Sequence, residues 1–225
     1  MARIDTVLFD LDDTLCQYER SPADVLAIAF ERAGVQPFFE ATEYVDRFTE
    51  FSQAGDDVRD IRRAAFETFA EEAGRDPDCG RAVAEAFAGE RDQSRVEFRA
   101  GADQAVESLA DAYRLGVVTD GDPWMQSQKI EALGIGDAFE TVVHGGHDAP
   151  TKPDPEPFGL ALEALDATPG SAVHVGDSVA SDVRGANNAG LTSVWAPLDP
   201  KRPDPSVEPD YRIDSLRDLL DEPWQ

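Results

Sequence analysis

Thr6-Val7-Leu8-Phe9-Asp10-Leu11-Asp12-Asp13-Thr14-Leu15 decides how the chain is read. Four apolar or β-branched residues run straight into a group of acids. A short run with no polar alternation reads as a strand buried on both faces of a parallel sheet. Comparable runs come only much later: Leu115-Gly116-Val117-Val118, Thr141-Val142-Val143, Ala172-Val173-His174-Val175 and Thr192-Ser193-Val194-Trp195. Tyr211-Arg212-Ile213 reads as a weaker edge strand. Helical patterns separate these runs. Phe158, Ala161, Leu162 and Leu165 fall at i, i+3, i+4 and i+7, and Val106, Leu109 and Ala110 form a second stripe. Strands alternating with helices predict an α/β fold on a parallel sheet with right-handed crossovers.

Residues 17–97 break this rhythm, with four helical patterns and no convincing strand. Ser21-Pro22 reads as an N-cap followed by proline in the first turn, and Gly34 as the stop. Further helices are expected over about 40–52, from about Asp57 to Glu72 with Gly74 as C-cap, and from about Pro77 to Gln93. Four helices between the first and second core strands exceed an ordinary crossover. The expected organisation is a discontinuous core, 1–16 with 98–225, carrying an inserted helical module over 17–97. Pro197 to Pro209 reads as a surface connection.

The 225 residues carry 46 acids against 20 basic residues, a net charge of −26. Such a surface repels phosphate backbones and anionic lipid, which argues against a nucleic-acid or membrane partner. The acids are spread along the chain, the pattern of a solvated coat suited to concentrated salt, where the Debye length falls to about 3 Å at 1 M. No apolar run approaches the ~20 residues of a membrane span. The first ten residues lack a long apolar segment, so the expectation is a cytoplasmic protein. Two cysteines, Cys16 and Cys79, do not make a disulfide framework, and Cys16 reads as packing more readily than as lining the site entrance.

Four places carry chemistry. Asp10 and Asp12 follow the first strand, where open parallel sheets bind ligands. Two carboxylates in one pocket can divide labour, Asp10 as nucleophile and Asp12 as general acid and then base, with Thr14 orienting them. Thr119-Asp120-Gly121 ends the next core strand, offering a hydroxyl and backbone N–H groups to an anion. Lys152-Pro153-Asp154-Pro155 places one of only three lysines before a helix, where its charge can neutralise both a nucleophile and a phosphoryl group. Asp154 reads as the N-cap of a helix starting at Pro155. Gly176-Asp177-Ser178 leaves a further strand, with Asp182 about one turn on. Hard carboxylate oxygens are what Mg²⁺ requires, Asp177 as direct ligand and Asp182 as ligand or outer support.

With these four segments in this order, Asp10-x-Asp12-x-Thr14, Thr119-Asp120-Gly121, Lys152-Pro153 and Gly176-Asp177 with Asp182, the chain resembles the haloacid dehalogenase-like hydrolases. Gly185-Ala186-Asn187-Asn188-Ala189-Gly190 resembles the family's usual continuation. The resemblance implies a Rossmann-like sheet with the first strand central and residues 17–97 as a helical cap. It implies Mg²⁺ held by Asp10, the backbone carbonyl of Asp12, and Asp177, with Thr119 and Lys152 on the phosphoryl group. The implied activity is hydrolysis of a small phosphorylated metabolite through an aspartyl phosphate. The runner-up is a 2-haloacid dehalogenase, in which the aspartate attacks carbon; such members typically lack an acid at the position of Asp12. A sugar phosphomutase shares the same core.

Other residues carry less. His144 and His147 read as loop residues more readily than as a metal pair, and His174 as a core histidine. Trp124 and Met125 either touch a substrate or pack. Arg47, Arg59, Arg62 and Arg63 read mainly as partners of neighbouring carboxylates.

Overall fold

A computed structural model describes residues 3–51, 58–199 and 207–225. Asp57 and Ser52, expected helix ends, lie outside the described residues, as does part of the Pro197–Pro209 connection. The strands are β1 (Thr6–Phe9), β2 (Cys16–Tyr18), β3 (Val96–Phe98), β4 (Arg114–Asp120), β5 (Thr141–Gly145), β6 (Ala172–Gly176), β7 (Thr192–Trp195) and β8 (Tyr211–Arg212). The helices are α1 (Pro22–Ala33), α2 (Ala41–Phe51), α3 (Val58–Glu72), α4 (Pro77–Glu90), α5 (Ala102–Ala110), α6 (Pro123–Leu133), α7 (Glu156–Ala164) and α8 (Arg184–Ala189).

Six strands make one parallel sheet in the order β5-β4-β1-β6-β7-β8, while β2 and β3 form a separate two-stranded sheet. β1 sits between two long-range neighbours: Phe9 is in register with Val117 on one side and Val175 on the other. Because both its faces are covered, Thr6–Phe9 is buried throughout, as is Ala172–Gly176. Leu8, Val118, Phe158, Ala161, Leu165, Ala186 and Leu191 pack into one cluster on this sheet. Each large side chain so buried contributes roughly 1.5–3 kcal/mol. In α5 the buried stripe is Ala102, Ala105, Val106 and Leu109; Ala110, placed on it by the sequence reading, is exposed one position past the apolar arc.

The chain divides into two compact units, residues 1–17 with 96–225, and residues 18–95. The second unit holds α1 to α4. Ser21 caps α1 in a reciprocal box with Asp24, and Gly34 closes it at a left-handed φ of 66°. Its core is aromatic: Phe66 lies 4.7 Å from Phe39, 5.0 Å from Tyr44 and 5.7 Å from Phe87 between ring centroids. Arg47 pairs with Glu43, Glu50 and Glu72, and Arg63 with Asp60. Arg62 is buried instead, its guanidinium over the Phe87 ring and its Nε donating to the Tyr44 hydroxyl. α4 stops at Glu90, three residues short of the expected Gln93. Among the described residues, no helix is long and apolar enough to cross a membrane.

Candidate active site

The site lies in the α/β unit, where β1, β4 and β6 end. Asp10 continues β1: its N–H donates to Val175 O at 2.9 Å, so the residue is fixed by the sheet itself. The chain then turns sharply. Leu15 and Cys16 N–H groups both return to Leu11 O, and Asp13 takes a left-handed φ of 59°. Leu11 is buried in the turn, which separates Asp10 from Asp12. Cys16 is buried there too and packs in the turn, where burial first, then Asp12, pushes its thiol up to about 12.

Lys152 is the centre of the arrangement. Its Nζ donates to Asp10 Oδ1 at 2.6 Å, Asp182 Oδ1 at 2.7 Å and Val118 O at 3.0 Å. The side chains of Lys152, Asp10 and Asp182 are 3%, 8% and 2% exposed, so these charges meet with almost no water between them. Burial works against the lysine's charge, but Asp10, Asp182 and Asp120 outweigh it and hold the ammonium well above its usual range. Burial likewise opposes ionisation of Asp182, but Lys152 and His174 hold it well below the usual carboxylate range. Asp10 goes the other way. Burial, with Asp182 and Asp12 nearby, pushes it up to about 8 against the pull of Lys152.

Asp177 sits where β6 ends. Trp195 Nε1 donates to its carbonyl at 2.7 Å. Burial first, then Asp182 and Asp13, pushes its carboxyl up to about 7. Asp182 is reached through a π-turn over Val179–Val183 that leads into α8; such turns gather at functional sites. Its Oδ2 accepts from Ser178 N–H and its Oδ1 from His174 Nε2. Since Asp182 can only accept, His174 carries its proton on Nε2. Burial lowers the pKa of the imidazole, and Nδ1 has no partner among the described residues. Gly176 permits this approach. A Cβ there would stand 2.6 Å from Asp182 Oδ2, with its Cβ and Cγ closer still.

Oxygens of Asp10, Asp177 and Asp182 lie within 4.8 Å of one another. Three hard carboxylates, two of them with raised pKa values, form a set suited to Mg²⁺, which would relieve their mutual repulsion. Asp12 contributes no side-chain oxygen to this cluster.

Asp12 instead points at α6. Lys129 Nζ donates to both its oxygens, at 2.6 and 2.7 Å. Gln126 Nε2 donates to Asp12 Oδ2 at 3.0 Å and also lies 2.9 Å from both Thr119 Oγ1 and Asp120 O. The sequence reading assigned neither Lys129 nor Gln126 a part. The available signal was their i, i+3 spacing on the helix just after Thr119-Asp120-Gly121.

Other expected residues fall differently. Thr14 does not orient the acids: its Oγ1 is buried with no partner among the described residues. The Gly121 N–H, read as available to an anion, donates to Gly145 O at 3.0 Å. The Asp120 carboxylate accepts the Lys152 backbone N–H at 3.0 Å, so this side chain anchors the lysine's loop. Thr119 is buried at the end of β4 with its hydroxyl against Gln126. Helix α7 starts at Glu156, whose N–H is capped by Asp154 Oδ1, one residue later than expected. His144 and His147 both bond Asp148, outside the acidic cluster. Trp124 is exposed.

A family model for haloacid dehalogenase-like hydrolases matches residues 4–190. The chain belongs to that family. The phosphoserine phosphatase of Thermus thermophilus is 31% identical to this hydrolase over 242 residues, covering 95% of the chain and 97% of the relative. The glyceraldehyde 3-phosphate phosphatase of Methanopyrus kandleri is 30% identical over 233 residues, covering 97% and 96%. Among solved structures, the HAD-hydrolase YfnB of Bacillus subtilis, described bound to magnesium, superposes with a TM-score of 0.78. It is 22% identical, with 98% and 99% of the two chains covered. At that identity the likeness shows the fold of the hydrolase.

Proposed function

We propose that the hydrolase is a Mg²⁺-dependent phosphatase acting on a small phosphorylated metabolite. The observation that carries this is Lys152 Nζ shared between Asp10 and Asp182, with a second carboxylate, Asp12, two residues from Asp10. Asp10 is the nucleophile: its oxygen bonds to phosphorus as the ester P–O bond breaks. Asp12, as the acid, gives its proton to the departing oxygen. In the second half Asp12, now carboxylate, takes a proton from water as the water oxygen attacks phosphorus and the Asp10–phosphorus bond breaks. Lys152 and the Thr119 hydroxyl hold the phosphoryl oxygens, whose charge is the main electrostatic burden of the transfer. Asp10, Asp177, Asp182 and the Asp12 carbonyl are the residues that would hold Mg²⁺, which would supply further neutralisation of those oxygens. We assign residues 18–95 the cap's part in choosing among substrates. Both named relatives support a small phosphate ester.

The test is phosphate release from a panel of such esters in Mg²⁺ and molar KCl, with Asp10→Asn as control. Turnover by the wild type and its loss in a folded Asp10→Asn is the expected result. Substantial activity in that variant removes Asp10 from the nucleophile's part. Metal-independent hydrolysis of 2-chloropropionate in EDTA would show a dehalogenase, and an isomerised sugar phosphate a mutase.

A further inference from the structure

Two buried polar side chains on α6 are unexplained by the chemistry above. Gln126 and Lys129 are 2% and 3% exposed. Spaced i, i+3, they share one helix face, and that face meets Asp12 rather than an apolar core. The start of the helix is pinned, because the Asp122 side chain accepts the Met125 N–H. Lys129 contacts both Asp12 oxygens. The Gln126 amide cannot be turned around: Asp120 O is a backbone carbonyl and only accepts, so Nε2 must face it, and the same Nε2 lies 3.0 Å from Asp12 Oδ2. One amide therefore ties Asp12 to Thr119 and to the end of β4, and fixes the side-chain torsions of Asp12 from outside its own loop. The Asp12 side chain remains 37% exposed, so one side of the carboxylate stays open to a reactant.

We propose that Gln126 and Lys129 are positioning residues, which from one face of α6 set where the Asp12 carboxylate stands for proton transfer to the leaving group and from water. This rests on the phosphatase reading. It assigns the pair no contact with substrate. A fixed carboxylate need not search torsions at the moment of transfer, and misplacement by about 1 Å costs on the order of 10²-fold in rate.

The experiment is a double-mutant cycle on the full chain, using an ester that the wild type hydrolyses, with kcat and KM read separately and melting curves taken for every variant. Lys129→Met is expected to lower kcat about 10²-fold with KM changed less than about threefold, and Gln126→Leu about 10-fold. In an Asp12→Asn background the same substitutions should change kcat less than about twofold, because the residue they position no longer transfers a proton. Lys129→Arg should recover part of the lost kcat. If Lys129→Met does not fold, Gln126→Leu carries the same cycle. Losses that multiply with that of Asp12→Asn, or a folded Lys129→Met with kcat within about threefold of wild type, overturn the proposal and leave the phosphatase reading intact. A wild type that releases phosphate from no ester overturns both.

Discussion

Replacing Lys152 by methionine isolates what one buried charge does for the fold. Methionine keeps most of the length and apolar volume, so little cavity forms. What changes is that Asp10 and Asp182 lose an ammonium that stands 2.6 and 2.7 Å away. Removing one partner from a buried ionic group costs about 3–5 kcal/mol, since the remaining charge stays desolvated. With a urea dependence of about 2 kcal/mol per molar, the midpoint should fall by roughly 1.5–2.5 M. All three tryptophans, Trp124, Trp195 and Trp224, lie in the α/β unit, so their fluorescence follows this unit's unfolding. The deficit should depend on pH. Lys152 holds down the folded pKa of Asp10, about 8 against an ordinary 3.8, so losing it raises that pKa further. The folded state then binds a proton that the unfolded chain releases, so stability falls as pH rises through the window from about 4 to above 8. The variant should therefore lag the wild type more at pH 8.5 than at pH 6, and Mg²⁺ should restore part of the difference at high pH. A metal-free midpoint at pH 8.5 within about 0.5 M of the wild type would refute the stranded-carboxylate argument.

Gly176→Ala forces a methyl group into the Asp182 carboxyl. The expected result is a loss of about 1–3 kcal/mol, seen in the melting temperature, together with loss of phosphate release. Unchanged melting would mean that Asp182 is not held as described. Because Asp177 and Asp10 are pushed up to about 7 and about 8 and metal ligands must be deprotonated, Mg²⁺ affinity by titration calorimetry should rise well over tenfold between pH 6 and pH 8, Asp177 alone accounting for about tenfold. A flat profile would contradict Asp177 as a ligand. With a net charge of −26, raising KCl from about 0.1 to 2 M should raise the melting temperature, as screening shortens from about 10 Å to below 3 Å. A falling melting temperature would contradict a coat adapted to salt.

The sheet was legible because each of its central strands is written as a short, mostly apolar run ending at a chemically distinctive residue. Asp10, Thr119 and Asp177 could be found one after another for that reason. Strand ends point their next residues at one edge of the sheet, so a linear pattern becomes a spatial cluster. Lys129 and Gln126 were not legible. A lysine and a glutamine on a helix read as solvent-facing by default, and α6 has no apolar stripe to show which face turns inward; its buried set is Gln126, Lys129 and Ile130. Thr14 was misjudged for a related reason: the pattern placed a hydroxyl beside two acids, but the turn at Leu11–Cys16 directs it into the interior. Lys152 was the opposite case. Its scarcity marked it, and no spacing rule would have shown that it reaches Asp10 and Asp182 together.

The central place of β1 has a consequence for synthesis. Its partners, β4 and β6, are encoded about a hundred and more than a hundred and sixty residues after it, while α1 to α4 contact mainly one another within 18–95. At a translation rate of about 5–20 residues per second, Thr6–Phe9 waits on the order of ten seconds or more for its second neighbour to leave the ribosome. Until β4 emerges the first strand is a bare apolar segment next to its nucleophile, and until β6 follows it is paired on one edge at most, while the helices, complete by Glu90, are free to fold. A nascent chain arrested before Ala172 should thus carry a protease-resistant helical piece and an Asp10 that has not yet met Lys152's other partner.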